Sequence, residues 1–303
     1  MKVGWNAIVL LFVFLLMIGC NSNQKKEKKD DILSGVLPVS VDETILPLFL
    51  EQKEVFESSY YNAKINTLAN PEVQAVNTLL KGEAHIAFMA RELSQEEKEH
   101  FKKKSISGRI YPVAYDGIVL VTNTGSADTS MRVDEVIELL KGNKVKNVRL
   151  VFDNLNSSIL RYFVEGGKIE KVANTYVETL SSSEEVLTEV AKTIDKIGFI
   201  SYNQYLSLKS SFTEMDKIRI LSVLNEEGGR SRYVLPSQAN LSTDEYPLKR
   251  TIYVLNYQPN MGLGIGFSAF MTGDRGQRIV LKSGLLPATM PGREIIIRDE
   301  INL

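Results

Sequence analysis

The sequence predicts an α/β protein with two lobes, and three observations lead to this expectation. Short apolar strands alternate with amphipathic helical segments, a pattern typical of mostly parallel sheets that helices cover on both faces. The folded part comprises about 270 of the 303 residues, which is more than one small core usually holds. The content of 44% hydrophobic and 24% charged residues is ordinary for a soluble globular protein.

The first 19 residues have the pattern of a secretory signal peptide. Lys2 precedes an apolar run, Ala7 to Ile18, that is too short to span a bilayer comfortably. Met17 to Cys20 (MIGC) resembles a bacterial lipobox, in which a cysteine receives lipid. Cys20 is the only cysteine of the chain, so no internal disulfide can form. We therefore predict a signal peptide at 1–19 and a lipid anchor on Cys20. A plain signal peptide or a short membrane anchor, with an incidental cysteine, is the alternative.

The segment that follows has no apolar side chain and many charges. Residues 21–31 read NSNQKKEKKDD, which cannot contribute to a core. We expect 20–32 to be a flexible tether. The lysines could contact anionic lipid, but the interspersed acids favour a solvated spacer.

From Leu33 onward, hydrophobic periodicity divides the chain into strands and helices. The predicted strands are 33–40, 63–68, 85–89, 109–122, 149–152, 176–177, 196–201 and 219–223. The predicted helices are 45–60, 71–81, 94–104, 132–140, 157–163, 183–194 and 267–271.

Start and stop signals support several of these helices. Pro71 stands at the first position of its helix, and Gly82 ends that helix. Ser94 and Glu97 have the spacing of a capping box, and Gly142 follows the helix 132–140.

Charge and motif content argue against several classes of function. The net charge of -1 gives no sign of a nucleic-acid binder. His85 and His100, the two histidines, lie far from any matching cysteine or carboxylate spacing, so we expect no metal site. We find no nucleophile elbow and no phosphate-binding P-loop, and the glycines at 262–266 lack the spacing of a dinucleotide fingerprint. The prediction is a protein that is not an enzyme and needs no cofactor.

Two predicted strands end in small polar residues just before a helix. The first turn is Ser40–Thr44 and the second is Asp153–Ser158. Such turns present unpaired backbone N–H groups, and the helix dipole adds a positive partial charge of about half a unit. Hydroxyl groups can complete a set of donors around an oxyanion. Ordinary N-caps look the same, but ligands in open α/β sheets bind where such turns lie.

Several segments between Leu37 and Ala288 carry a family resemblance. They are the loops 40–47, 80–94 and 154–158, the strand Lys196–Tyr202 (KIGFISY), the segment Tyr246–Tyr253 (YPLKRTIY), and the segments 267–270, 276–280 and 284–287. These segments resemble the three ligand loops, the "G-A-I-G-Y" strand, the "Y-P-L-x-R-x-L-Y" return strand and the closing helix and tail of the phosphate-binding proteins of ABC importers.

The resemblance implies the two-lobed periplasmic-binding-protein fold (type II). Lobe one would comprise 33–115 and 245–303, and lobe two 116–244. The ligand would lie between the lobes and hold them closed by a hinge motion.

The resemblance also implies the residues of the ligand site, in three loops. They are Asp42, Glu43 and Thr44 in the first, Arg91 in the second, and Asn154, Ser157 and Ser158 in the third.

This sequence departs from the family pattern in several of these positions. Asp42 and Glu43 stand where the family usually has serine or threonine, and two carboxylates should repel a dianion. Asn154 stands where many members have arginine, and Ile159 where a threonine would help. Inorganic phosphate nevertheless still carries a proton at neutral pH, and a carboxylate can accept a hydrogen bond from it, whereas the same carboxylate would reject fully deprotonated sulfate.

Alternatives stay open for the charged members of the site. Arg91 would supply the compensating charge, or would form a surface salt bridge with Glu92 or Glu96. Asp42 and Glu43 would contact the ligand, or would simply stabilise a helix N-terminus.

The sequence therefore predicts a monomeric lipoprotein of the cell envelope, held at the periplasmic or outer face of the cytoplasmic membrane through Cys20. It would capture inorganic phosphate or a similar oxyanion and deliver it to an ABC permease. The alternative, which the acidic first loop favours, is a divergent envelope protein of the same fold. Such a protein would sense or bind another ligand, or dock a protein partner.

Overall fold

A computed structural model describes residues 31–226 and 231–292 as a mixed α/β structure. The strands are β1 (Gly35–Asp42), β2 (Ala63–Asn70), β3 (Ile86–Met89), β4 (Arg109–Asn123), β5 (Ser130–Met131), β6 (Arg149–Phe152), β7 (Val177–Thr179), β8 (Lys196–Ser201), β9 (Ile218–Ile220), β10 (Ser222–Asn225), β11 (Arg232–Val234), β12 (Lys249–Asn256) and β13 (Leu286–Pro287). The α-helices are α1 (Leu46–Ser59), α2 (Glu72–Lys81), α3 (Gln95–Lys103), α4 (Val133–Leu140), α5 (Ser158–Gly166), α6 (Ser183–Lys192), α7 (Tyr202–Leu208), α8 (Gln238–Ser242), α9 (Leu263–Thr272) and α10 (Asp274–Lys282). Short 3-10 turns lie at Glu43–Ile45 and Met215–Lys217.

The main sheet has two parallel halves that are joined through antiparallel strands. Its strand order is β2-β1-β3-β12-β4-β8-β6-β7, and β13 and β9 also pair with β4. In the first half β1 is parallel to β2 and β3, and in the second half β6 is parallel to β7 and β8. The long strand β4 passes from one half to the other, antiparallel to β12 and β8.

The buried apolar side chains fall into groups on either side of this crossover. Phe49, Phe56 and Phe267 belong to the core that packs α1 and α9 against the first half of the sheet. Phe152, Phe163 and Phe199 belong to the core of the second half, where the rings of Phe152 and Phe199 stack at 4.4 Å. The predicted α/β fold class is confirmed.

The division into lobes at 33–115 with 245–303 and at 116–244 stays a prediction, which this separation of cores supports. Tyr246 and Leu248, just inside the segment predicted to return to lobe one, pack with the core of the second half. The Tyr246 hydroxyl also donates to the Ile118 carbonyl at 2.6 Å. The strand β4 and the segment that leads into β12 are therefore bonded to each other.

Two of the helix signals predicted from the sequence are confirmed, whereas Pro71 is the N-cap of α2 and not its first helical residue. Gly82 ends α2 with φ = +78°, a left-handed conformation that favours glycine. The Ser94 hydroxyl accepts from the Glu97 amide at 3.3 Å, and the Glu97 carboxylate accepts from the Ser94 amide at 2.7 Å. The predicted strand 219–223 is wrong as one element. It divides at Leu221 because β9 pairs with β4, whereas β10 pairs with β5 and β11 in a separate small sheet.

None of the helices within 31–226 and 231–292 is long and apolar enough to cross a bilayer. The predicted signal peptide, Cys20 and all but the last two residues of the predicted tether lie outside the described residues.

Candidate functional site

The first and third predicted ligand loops meet where the two halves of the molecule touch, a place that we call the junction. β1 ends at Asp42, and the 3-10 turn that follows carries Thr44 into the junction. Ser158 approaches from the other side as the first residue of α5. The two hydroxyl oxygens, Thr44 Oγ1 and Ser158 Oγ, lie 2.9 Å apart and are both buried.

A buried guanidinium group, that of Arg250 on β12, lies against both hydroxyls. Arg250 Nη1 donates to Ser158 Oγ at 2.9 Å, and Nη2 donates to Thr44 Oγ1 at 3.1 Å. The Asp116 carboxylate on β4 accepts from Nε at 3.0 Å and from Nη2 at 2.8 Å, which fixes the orientation of the group. Asp116 is itself fixed by the Asn203 amide at 3.1 Å. The junction therefore holds a fixed cation beside two hydroxyls from opposite sides.

The remaining residues of the third loop are bonded within that loop. Ser157 is the N-cap of α5, and its buried hydroxyl accepts from the Ile159 amide at 3.1 Å. The Asn154 side-chain oxygen accepts from the Asn156 amide at 2.9 Å. Asn154 thus shapes the turn, while Ser158 reaches the junction.

Three carboxyl groups at the junction have oxygens without a hydrogen-bond donor among the described residues. They are Asp42 Oδ2, Glu43 Oε1 and both oxygens of Asp153, all out of contact with solvent. Asp42 Oδ1 does accept from the Thr44 amide at 3.0 Å. The Ser157 hydroxyl lies near enough to lower the pKa of Asp153, but not in hydrogen-bond geometry to it.

Burial raises the pKa of each of these three groups. For Asp153 the value rises to about 6, because burial and the Asp42 charge outweigh Ser157 and Arg250. For Glu43 it rises to about 7, because burial is reinforced by Asp153 and Asp42. The pKa of Asp42 is raised, because burial outweighs the opposing effects of Arg250 and of the nearby Ser158 hydroxyl. The junction therefore holds protons more tightly than isolated carboxyl groups do.

Arg91, the predicted ligand residue of the second loop, lies in an ion-pair network beside this junction. Its Nε donates to Glu72 Oε1 at 3.0 Å, and its Nη1 and Nη2 donate to Glu97 at 2.7 and 2.9 Å. Arg161 on α5 donates to the same Glu72 oxygen at 2.5 Å, from the other half of the molecule. Glu72 is 1% exposed, so this bond joins the two halves through a buried carboxylate.

Further direct contacts close the junction. The Ser201 hydroxyl donates to the Thr44 carbonyl at 2.5 Å, and the Gln204 side chain donates to the Glu43 carbonyl at 3.1 Å. The Val73 amide donates to the Asn156 carbonyl at 3.4 Å. The structure therefore shows the two halves of the molecule in direct contact.

The described part of the chain contains no cluster of histidine, cysteine and carboxylate groups that could hold a metal ion.

The structure brings most of the predicted site residues together and adds others. Four of the predicted residues meet at the junction: Asp42, Glu43, Thr44 and Ser158. Ser157 lies beside the junction, whereas the side chains of Arg91 and Asn154 bond elsewhere. Contact between any of these residues and a ligand stays a prediction. Sequence reasoning missed Arg250, Asp116, Asp153, Glu72 and Arg161. For Arg250 a signal was present, since it is the arginine of the return-strand motif 246–253.

A family model described as the PBP superfamily domain matches residues 27–275. The chain belongs to the PBP superfamily. A curated relative, the phosphate-binding protein PstS of Borreliella burgdorferi, is 23% identical over 297 residues, which cover 92% of this chain and 98% of the relative.

Solved structures share the fold of this chain at low identity. A Clostridium perfringens substrate-binding protein assigned to a phosphate ABC transporter, solved with bound phosphate, has a TM-score of 0.66 and 17% identity. An ABC-type phosphate transport receptor from Vibrio cholerae has a TM-score of 0.65 and 17% identity. Each alignment covers 84% of this chain and 100% of the other. The predicted two-lobed fold is confirmed, and the names of these relatives are those of binding proteins.

Proposed function

We propose that this chain is an extracytoplasmic binding protein that captures inorganic phosphate between its two lobes and delivers it to an ABC importer. One observation carries the proposal: donors from both halves of the molecule converge at one point. Thr44 comes from the first loop, Ser158 from the start of α5, and Arg250 from the return strand. The relative from Borreliella burgdorferi is named a phosphate-binding protein, which agrees with this chemistry.

The donor set suits a tetrahedral oxyanion. A guanidinium group fixed by Asp116 presents two N–H groups in a rigid fork that matches two oxygens of phosphate. The first turn of α5 adds backbone N–H groups and the positive end of its dipole. These donors now bond to each other across the junction, so phosphate would enter when the lobes part and would replace the direct contacts when they close.

The acidic residues of the junction favour phosphate in a protonated state. Asp42 and Asp153 have buried oxygens without donors, which a protonated phosphate oxygen would satisfy. Sulfate is fully deprotonated at neutral pH and would leave these acceptors unpaired. We expect selection of phosphate over sulfate.

The sequence of the first 20 residues and the extracytoplasmic class of the relatives support a location in the cell envelope. We propose that the signal peptide 1–19 is removed, that Cys20 carries lipid, and that 20–32 tethers the binding fold to the membrane surface. Lipid of this kind contributes about 0.8 kcal/mol of membrane affinity for each buried methylene. We expect the protein to work as a monomer beside its permease.

Isothermal titration tests the proposal on the chain from Asn21 to Leu303, which retains every described residue. The protein is first unfolded and refolded to remove ligand carried over from the cell. Phosphate, sulfate and molybdate are titrated separately, and we expect saturable binding of phosphate only. Ser158→Ala should weaken the binding about tenfold or more, because it removes a buried donor. The matched control Ser58→Ala changes an exposed hydroxyl on α1 and should leave the affinity unchanged.

A second function competes because three carboxyl groups with unpaired oxygens lie at the junction, while Arg250 is already paired with Asp116. This charge balance favours a divergent envelope protein that senses or binds another ligand, or docks a protein partner. No signal with any of the three anions, in a protein that refolds fully, would favour this second function and exclude phosphate delivery.

A further inference from the structure

Asp42, Glu43 and Asp153 bring together more hydrogen-bond acceptors than inorganic phosphate can satisfy. Four of their oxygens accept no hydrogen bond from the described residues, and all four are out of contact with solvent. Asp42 and Asp153 are 0% and 1% exposed. A buried carboxylate without a donor is costly, so a ligand that brings donors would be strongly favoured here.

The cations around the junction are already paired. Arg250 donates through both Nε and Nη2 to one oxygen of Asp116, Oδ2. Arg91 lies between Glu72 and Glu97, and Arg161 lies between Glu72 and Glu165. The charge of the three carboxyl groups is therefore not balanced by the described arginines around them.

The acceptors come from both halves of the molecule. Asp42 is the last residue of β1 and Glu43 follows it, whereas Asp153 follows β6. The Asp42 charge raises the pKa values of both Glu43 and Asp153, and the Asp153 charge raises that of Glu43. The acceptors and the donors Thr44 and Ser158 lie on the same two loops. A ligand held by the donors would therefore meet the carboxyl groups as the lobes close.

We propose that the preferred ligand of this junction is a phosphorus oxyanion that also carries an ammonium group, such as a short aminoalkyl phosphonate. The inference rests on the proposed function, since the oxyanion end uses the same donors, Arg250, Thr44 and Ser158. The ammonium end has three N–H donors and would lie among Asp42, Glu43 and Asp153, with one donor for a free oxygen of each residue.

Titration calorimetry of the chain from Asn21 to Leu303 tests the inference with matched probes. Aminomethyl-, aminoethyl- and aminopropylphosphonate are each compared with methyl-, ethyl- or propylphosphonate, and all of them with inorganic phosphate and hydroxyethylphosphonate. The experiment is run at about pH 8, above the pKa values of about 7 for Glu43 and about 6 for Asp153. At least one amino compound should bind about tenfold or more tightly than its alkyl counterpart.

The outcomes separate this inference from the proposed function. If phosphate or the alkyl phosphonates bind and no amino compound binds more tightly, the inference is overturned while the proposed function stands. If hydroxyethylphosphonate equals aminoethylphosphonate, the ammonium group is irrelevant and the inference is again overturned. If no phosphorus oxyanion binds at all, both fail together.

Two isosteric variants assign the effect to the carboxyl groups. Asp153→Asn and Glu43→Gln remove a charge and place an N–H donor where the ammonium would lie. In each variant the affinity ratio of an amino compound to its alkyl counterpart should fall towards one. Glu138→Gln, on an exposed carboxylate of α4 that pairs with Lys141, should keep the ratio. If the ratio stays unchanged in both Asp153→Asn and Glu43→Gln, the inference is overturned.

Discussion

The Glu72–Arg161 ion pair should stabilise the closed molecule before any ligand binds, and Glu72→Gln tests this directly. Glu72 lies in the first turn of α2, and Arg161 lies on α5 in the other half. Their atoms Oε1 and Nε are 2.5 Å apart, and the carboxylate is 1% exposed. Glutamine has the same shape and keeps one acceptor oxygen, so the substitution removes mainly the charge.

The size of the effect follows from burial. A hydrogen bond to a charged group contributes about 1.5–3 kcal/mol, whereas an exposed ion pair contributes at most about 1 kcal/mol. The Arg161 side chain is 22% exposed and has Glu165 as a second partner, which places the loss near the lower end of the first range. A loss of about 1.5 kcal/mol shifts the closed-to-open ratio about tenfold towards the open state.

Single-molecule energy transfer between the two halves measures that ratio. The fragment from Asn21 onward contains no cysteine, so Tyr61→Cys and Ile194→Cys supply the only labelling sites. Tyr61 is 89% exposed beside β2, and Ile194 is 59% exposed after α6. Without ligand, Glu72→Gln should increase the open population, and Glu138→Gln, whose Lys141 partner lies in the same half, should not. If the two variants have the same distribution as the parent protein, the ion pair does not contribute to closure and the reasoning is wrong.

Three further substitutions give distinct expectations. Arg250→Lys keeps the charge beside Asp116 but loses the fork, so titration calorimetry should find oxyanion affinity lowered about tenfold or more. Asp153→Asn should stabilise the unliganded protein at high pH. In the folded protein the pKa of Asp153 is raised from 3.8 to about 6. The free energy of unfolding of the parent protein therefore falls as the pH rises through that interval, by about 3 kcal/mol at most. The variant lacks this carboxyl group and should not show the loss. Urea unfolding at about pH 4 and about pH 8 measures the difference, and equal pH dependence in both proteins would contradict it. Gly266→Ala would place a methyl group against the Ile32 carbonyl, so the melting temperature should fall, whereas Gly166→Ala meets no neighbour and should not lower it.

The elements of the fold were predictable because they depend on local sequence. Helix ends and buried helix faces are determined by residues within one or two turns of each other, so the sequence alone contains the signal. Examples are Gly82, the pair Ser94 and Glu97, and the apolar faces of α1 and α2. The division of 218–225 into two strands was not predictable. Its cause is non-local, since β9 and β10 pair with different strands that are far away along the chain.

The candidate site was predictable only where a loop directly follows a strand. Thr44 and Ser158 could be found, because each stands in a polar turn before a helix. Arg250 is 92 residues beyond Ser158, and only the topology of β12 beside β4 brings it there. The partner of Arg161 was equally hidden, because the ion pair to Glu72 spans 89 residues. The carboxyl groups of the first loop were recognised as an anomaly, but their lack of donors is a property of the packed structure.

The central claim is that an oxyanion binds where Thr44, Ser158 and Arg250 converge. Crystals of the chain from Asn21 to Leu303, grown with arsenate in place of phosphate, test it most directly through the anomalous signal of arsenic. The account predicts one strong peak within hydrogen-bonding distance of the two hydroxyls and the guanidinium group. A closed molecule whose arsenate lies elsewhere, with no peak at this junction, would contradict it.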